Sequence, residues 1–168
     1  MRSFRFLTLK PYLALLNVSD DALKIEHTSA LASQIPDCMP ICANIEMEIR
    51  NLEEKDRQAF LDDLGIKELS LNSFIRKAYG TLGLISFFTV GKDEVRAWTI
   101  KLNTTAVKAA GKIHTDLERG FIRAEVFSFS DLEKLGSERE VKNAGHFRLE
   151  GKDYIIQDGD IVNIKFNV

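Results

Sequence analysis

Residues 113–126 read IHTDLERGFIRAEV, and this stretch sets how the second half of the chain folds. It joins the end of an apolar-striped helix to a breaker, Gly120, and then to a run of strand-forming residues. Working upstream, Ala106, Ala109, Ala110, Ile113 and Leu117 recur at helical spacing and predict a helix over Thr105–Glu118. Before it, Leu84–Val90 and Glu94–Ile100 read as strands joined by a tight turn at Gly91-Lys92-Asp93. Downstream, Phe121–Phe129 reads as a strand. A charged helix is expected over Ser130–Ala144, with Ser130 as N-cap and Glu133 completing a capping box. The closing text, YIIQDGDIVNIKFNV, predicts strands at Tyr154–Ile156 and Ile161–Val168 around Asp158-Gly159-Asp160. The order strand, strand, helix, strand, helix, closing strands describes a compact α+β module of β-grasp type over residues 84–168.

The first half has a different rhythm. Leu13–Leu16 is a short continuous apolar run of the kind buried on both faces of a parallel sheet. Residues 20–34 are polar and expected to be partly helical. Met39–Ala43 reads as a second buried strand, and a helix over Ile45–Leu52 follows it. Asp56–Leu64 predicts a helix stopped by Gly65. Leu71, Phe74, Ile75, Ala78, Tyr79 and Leu82 place an amphipathic helix over Leu71–Leu82. Gly80 and Gly83 mark the boundary between residues 1–83 and 84–168. Strand–helix alternation of this kind is the signature of a doubly wound α/β domain.

Composition narrows the class. The 168 residues are 45% hydrophobic and carry a net charge of −2, from 23 basic and 25 acidic side chains nearly balanced in each half. Neither half is an obvious polyanion binder by net charge. Cys38 and Cys42 lack the partners of a four-ligand zinc site and read as reduced thiols. No apolar run approaches the about 20 residues that cross a bilayer. The opening MRSFRFLTLKPYLALLNV imitates a short signal peptide, but Lys10-Pro11 interrupts it and no small-x-small cleavage site follows. A cytoplasmic setting is expected.

Motifs for phosphate chemistry are weak. Gly91-Lys92 and Gly111-Lys112 lack both the following Ser or Thr and the upstream glycine of a phosphate loop. Asp62-Asp63-Leu64-Gly65 spells a DxxG but follows helical pattern, so it reads as a helix end. His114-Thr115-Asp116 has no matching nucleophile, and His114 is expected to cap or brace the helix end. No catalytic and no metal-binding residue is assigned. Asn17-Val18-Ser19-Asp20 stands out because it follows a buried strand, where α/β sheets bind ligands. Its carboxylate can accept from the N–H groups of a nucleotide base while Asn17 braces the loop; ordinary turn formation is the competing reading. Lys101, Lys108, Lys112, Arg119 and Arg123 form either a basic face for phosphate contact or a solvated surface.

Together, EVRAWTI, IHTDLERGFIRAEV and GKDYIIQDGDIVNIKFNV closely resemble the C-terminal TGS domain of the YchF (Obg-like ATPase) subfamily of P-loop GTPases. FLTLKPYLALLNVSD, PICANIEMEI and FLDDLGIKELSLNSFIRKAYGTLGLISFFTVG resemble the preceding part of that family's G domain, so the likeness spans the chain. It implies a C-terminal remnant of a doubly wound P-loop NTPase domain without its phosphate loop (1–83), followed by a TGS β-grasp domain (84–168).

The resemblance also implies a partial base pocket from Asn17, Val18 and Asp20 with Cys42, Ala43 and Asn44. Guanine-specific GTPases use Asn-Lys-x-Asp at this loop, and the YchF subfamily usually Asn-x-x-Glu, associated with ATP as well as GTP. Here Val18 stands where a Lys would pack over the base, and Asp20 keeps a shorter carboxylate. Cys42-Ala43-Asn44 matches a Ser-Ala-Lys-like loop with two changes. The intact family protein uses ATP or GTP with magnesium. The family's phosphate loop, switch regions and coiled-coil insertion would lie upstream of residue 1. The expectation is therefore a fragment or truncated product that does not hydrolyse nucleotide alone and contacts a base weakly if at all, with ribosome or RNA as partner. The rival is a stand-alone TGS module binding RNA or ribosomal protein. A ubiquitin-like carrier would need a flexible Gly-Gly terminus, which Phe166-Asn167-Val168 does not supply.

Overall fold

The computed structural model describes residues 6–23, 33–66, 68–91 and 94–167. The chain is mixed α/β and divides into two compact units, Met1–Leu82 and Gly83–Val168. Among the described residues, no helix is long and apolar enough to cross a membrane.

In the first unit a 3-10 turn, Leu7–Leu9, precedes strand β1 (Ala14–Asn17). β1 pairs in parallel with β2 (Cys38–Ile41), from Ala14 opposite Cys38 to Asn17 opposite Ile41. Helix α1 (Asp20–Leu23) starts after β1, and α2 (Ala43–Asn51) starts directly after β2. The rest of the polar 20–34 segment lies mostly outside the described residues. α3 (Glu54–Leu64) ends at Gly65, whose φ of 67° only glycine adopts readily. The Gly65 and Ile66 amides close the last turn on Asp62 and Leu61, so the DxxG is a helix terminus. α4 (Ser70–Leu82) completes the unit.

Cys42, Ile45, Ile49 and Leu61 make its small buried core, with Phe60, Leu64, Ile66 and Leu69 packed against them. β1 is not buried on both faces as its apolar run suggested, because Leu15 is 46% exposed. Its burial alternates along the strand, as expected when one face of a strand pair carries no covering layer.

The second unit is a five-stranded sheet in the order β4-β3-β7-β5-β6. β3 (Leu84–Val90) and β4 (Val95–Lys101) form an antiparallel hairpin. Lys92 and Asp93 of the expected turn lie outside the described residues; Gly91 N–H bonds Glu94 O at 2.8 Å. β7 (Asp160–Phe166) runs parallel to β3 and antiparallel to β5 (Phe121–Ser128). Of the expected Ile161–Val168 strand, Val168 lies outside the described residues. Tyr154–Ile156 is not a strand; it contributes one bridge, Thr105 to Ile155. The outer strand is instead β6 (Arg148–Glu150), paired with β5.

The expected Thr105–Glu118 helix is broken into α5 (Ala106–Ile113) and α6 (Thr115–Arg119). His114 is extended at the break, and its Nδ1 accepts from Asp116 N–H at 3.2 Å, which caps α6. The charged helix is likewise two, α7 (Phe129–Leu135) and α8 (Glu138–Asn143). Its cap is Ser128, not Ser130: the hydroxyl accepts from Asp131 N–H at 3.0 Å and donates to Asp131 Oδ2 at 2.7 Å. Gly136 (φ 79°) stops α7, and Ser137 caps α8.

One sheet face packs on α5: Ala106, Ala109 and Ala110 are fully buried against Phe87, Ala124, Val126 and Val162. Alanines on the helix let it approach the sheet closely. The middle of the other face is covered by α7 and α8, where Phe127, Val141 and Ile161 are buried with Leu132 and Phe147 against them. Buried Asp160 is satisfied by Tyr154 OH at 2.9 Å, Gln157 N–H at 2.8 Å and the Arg148 guanidinium at 3.4 Å, which pins the 151–159 loop to β7.

Candidate nucleotide-base site

Because β1 and β2 are parallel, the loops that follow them emerge on the same side. Asn17–Asp20 and Cys42–Asn44, separate in sequence, meet there through three hydrogen bonds. Val18 N–H donates to Ile41 O at 2.9 Å, extending the ladder by one step. Ala43 N–H donates to Asn17 Oδ1 at 3.2 Å. The Cys42 thiol donates to Asp20 Oδ1 at 3.0 Å.

Asn17, Asp20, Ala43 and Asn44 are exposed, Val18 is half-buried and Cys42 is buried. Burial first, and then the Asp20 carboxylate beside it, push the Cys42 thiol above its ordinary range, so it is a protonated donor near neutrality. With its carbonyl engaged by Ala43, Asn17 retains its NH2 group as a donor, and Asp20 supplies acceptors only.

Two concavities flank the loops. An open apolar groove of about 600 Å³ is lined by Leu15, Ile41, Ala43, Met47, Leu71 and Phe74, among others. A smaller pocket of about 120 Å³ is lined by Asp20, Asp21, Glu48, Ile45, Phe60 and Leu64. The larger one is mainly apolar wall; the Asp20 carboxylate lines the smaller one. Among the described residues no three His, Cys, Asp or Glu side chains converge to ligate a metal.

The five basic residues do not share a surface. Lys108 and Lys112 are exposed on α5, and Lys108 pairs with Glu118 at 2.6 Å. Arg119 is exposed in the last turn of α6. Lys101 follows core-facing Ile100 and Arg123 precedes core-facing Ala124, so both project from the sheet face turned away from α5. They lie at opposite ends of that face, since Lys101 pairs with Leu84 at the start of β3 and Arg123 pairs with Lys165 near the end of β7. Lys165, which bonds Glu125 at 3.1 Å, is the neighbour of Arg123 that reading the sequence missed. The alternation of the last strand already placed it outward.

The family model YchF-GTPase_C, described as a protein of unknown function (DUF933), matches residues 84–167. The Ribosome-binding ATPase YchF of Haemophilus influenzae is 46% identical over 175 residues, covering 100% of this chain and 48% of the relative. Its counterpart in Mycoplasma genitalium is 47% identical over 178 residues, with the same coverage. The solved structure of the Schizosaccharomyces pombe YchF GTPase superposes with a TM-score of 0.83 at 31% identity, covering 97% of this chain and 45% of that one. Fold and sequence thus define a mixed α/β chain of the YchF type. The chain belongs to the YchF family, and it spans about half the length of the curated relatives it matches.

Proposed function

We propose that this chain is the C-terminal part of a YchF-like nucleotide-binding protein. Residues 1–83 are the end of its P-loop NTPase domain, and residues 84–168 a TGS β-grasp domain. The first and last strands of the second unit pair in parallel inside the sheet while a helix crosses one face, which supports the β-grasp reading. In this reading the base-recognition corner is Asn17, Val18 and Asp20 with Cys42, Ala43 and Asn44. The observation that carries it is the pair of hydrogen bonds, Cys42 to Asp20 and Ala43 to Asn17, that ties the two loops together at the carboxyl ends of parallel strands.

Hydrolysis of ATP or GTP with magnesium belongs to the whole family protein. This chain alone contacts a base weakly, and it works in the cytoplasm. The printed names of the relatives support the ribosome, or its RNA, as the partner of the TGS domain. The test is twofold. Phosphate release from ATP and GTP by this chain is expected at background; release that disappears in Asp20→Ala overturns the inactive assignment. Co-sedimentation with ribosomes is expected and should weaken as salt rises.

A second reading, a stand-alone TGS module binding RNA or ribosomal protein, is favoured by the separate core of the second unit. Deleting residues 1–82 separates the two: full ribosome binding by 83–168 favours the module, and lost binding favours the two-part protein. Charge reversal at Lys108 with Lys112, compared with reversal at Arg123 with Lys165, identifies which face makes the contact.

A further inference from the structure

We propose that the outward face of the five-stranded sheet docks one acidic, amphipathic helix of a partner protein, laid across the strands beside α7 and α8. The inference rests on the ribosome reading above and narrows the contact at this face to a protein component.

Strand register sets the surface. α7 and α8 cover the row that holds Phe88, Ile161 and Phe127. Side chains on one face recur every second residue, so the next row towards the end of β7 holds Val90, Asn163 and Glu125. Val95 pairs with Val90 and extends the row onto β4, and Leu149 pairs with Glu125 and extends it onto β6. Its aliphatic side chains are open to water: Val95 is 69% exposed, Val90 48% and Leu149 64%. One row further, Arg123 pairs with Lys165, and both are exposed.

The dimensions suit a single helix. Five strands about 4.8 Å apart make the band about 19 Å wide, and its two rows lie about 7 Å apart. A helix about 10 Å across covers both rows, and about 13 residues span the width. A contact of this size makes a transient complex.

Charge selects the occupant. Arg123 and Lys165 are like charges directly opposite each other, an unfavourable pairing. Glu125 Oε2 accepts from Lys165 at 3.1 Å and from Asn163 at 3.2 Å. Among the described residues no carboxylate pairs with Arg123. A carboxylate from the partner fills that place, while aliphatic side chains near the two ends of its helix meet Val90 with Val95 and Leu149. RNA fits the band less well. Two cations against one carboxylate leave a single net positive charge, whereas RNA affinity grows with the number of phosphates neutralised. No side chain of the two rows is aromatic, so unpaired bases find no stacking surface.

The test is co-sedimentation of the full chain with ribosomes, run beside titration with protein-free ribosomal RNA. Val95→Ser with Leu149→Ser should weaken ribosome binding about tenfold or more and leave RNA binding unchanged. Arg123→Glu should weaken ribosome binding to a similar degree, and Arg123→Lys should keep it. Native affinity for ribosomes in the serine variant overturns the proposal. An equal loss of affinity for ribosomes and for protein-free RNA also overturns it, because the face would then contact RNA. Should the serine variant lose the native Trp98 emission, Leu149→Asp alone gives the same readout from the outer strand. If the native chain does not sediment with ribosomes at all, the ribosome reading falls and takes this inference with it. That outcome is distinct from native binding that the variants leave intact, which sinks the docking band alone.

Discussion

The two units are built to different standards of closure. In the second, a five-stranded sheet buries side chains on both faces, with Phe87, Val126, Val141, Ile156 and Val162 at 0–1% exposure. In the first, Cys42, Ile45, Ile49 and Leu61 form the whole buried apolar set among the described residues, while Leu15, Met47, Leu71 and Ile75 are each more than 40% exposed. The second unit also makes its own polar locks, of which the Asp160 network is the deepest. In the first, two of the polar contacts tie the loops after β1 and β2 together. Closure is thus divided: one unit is a finished core, the other joins two loops at an open corner and leaves apolar surface uncovered.

The sharpest way to break this comparison is to cut each core. Phe87→Ala removes a fully buried ring and should cost about 3–5 kcal/mol. The single tryptophan, Trp98, pairs with Phe87 across the hairpin, so its emission during urea unfolding reports on the second unit. Ile49→Ala, followed by circular dichroism, should fall at the low end of about 2–5 kcal/mol, because few side chains surround it. Equal losses would erase the distinction between the cores.

A second contrast lies within the second unit. A Cβ at Gly120 would sit 2.1 Å from the backbone oxygen of Asn167, whereas one at Gly111 meets the Glu118 side chain, 2.3 Å from its Oε2. Backbone in a ladder cannot step aside; a carboxylate at the end of a side chain can. Gly120→Ala should therefore cost about 1–3 kcal/mol by overpacking. Gly111→Ala should stay within about 1 kcal/mol, since the gain in helix propensity offsets the displaced Glu118. Thermal melts of both variants decide it.

The sequence announced what short-range periodicity encodes. β3 follows its alternating apolar run residue for residue, and Ala106, Ala109 and Ala110 are buried as their spacing predicted. Helix breaks were harder to read, because a histidine imidazole and a second serine supply caps that compete with helix continuation at His114 and Ser137. β6 went unseen since three residues with little alternation are held as a strand by pairing with β5. The loop residues Asn17 and Asp20 were legible as a motif. Their bonds to Ala43 and Cys42 were not, because both depend on the parallel register of β1 and β2. The basic residues misled for a similar reason: sequence proximity says nothing about which sheet face a side chain leaves from.

Smaller effects come from the caps. Ser128→Ala should cost the second unit about 1 kcal/mol. Ser128, and next His146, hold the Asp131 carboxyl below the usual carboxylate range. A folded-state value below the unfolded one means the contribution is complete above the unfolded value of about 3.9. It is lost as pH falls through the lowered folded value. Asp131→Asn should therefore lower stability across the neutral region and bring variant and native proteins together at the acid end, which flattens the acid limb of the stability profile. An identical acid limb in native and variant proteins would remove this carboxylate from the acid response.

The smallest expected effect tests the other side of the comparison. Leu71 and Ile75 lie on α4 at 47% and 46% exposure, so about half of each side chain already meets water. Replacing either by Ser forfeits little transfer free energy, and surface changes of this kind fall within about 0.5 kcal/mol. Leu71→Ser and Ile75→Ser should barely move the unfolding midpoint of this chain, and they should raise its solubility by shrinking an exposed apolar patch. A loss of about 2 kcal/mol or more in either variant would mean that these side chains are buried in solution. The first unit would then be as closed as the second, and the division between a finished core and an open corner would not hold.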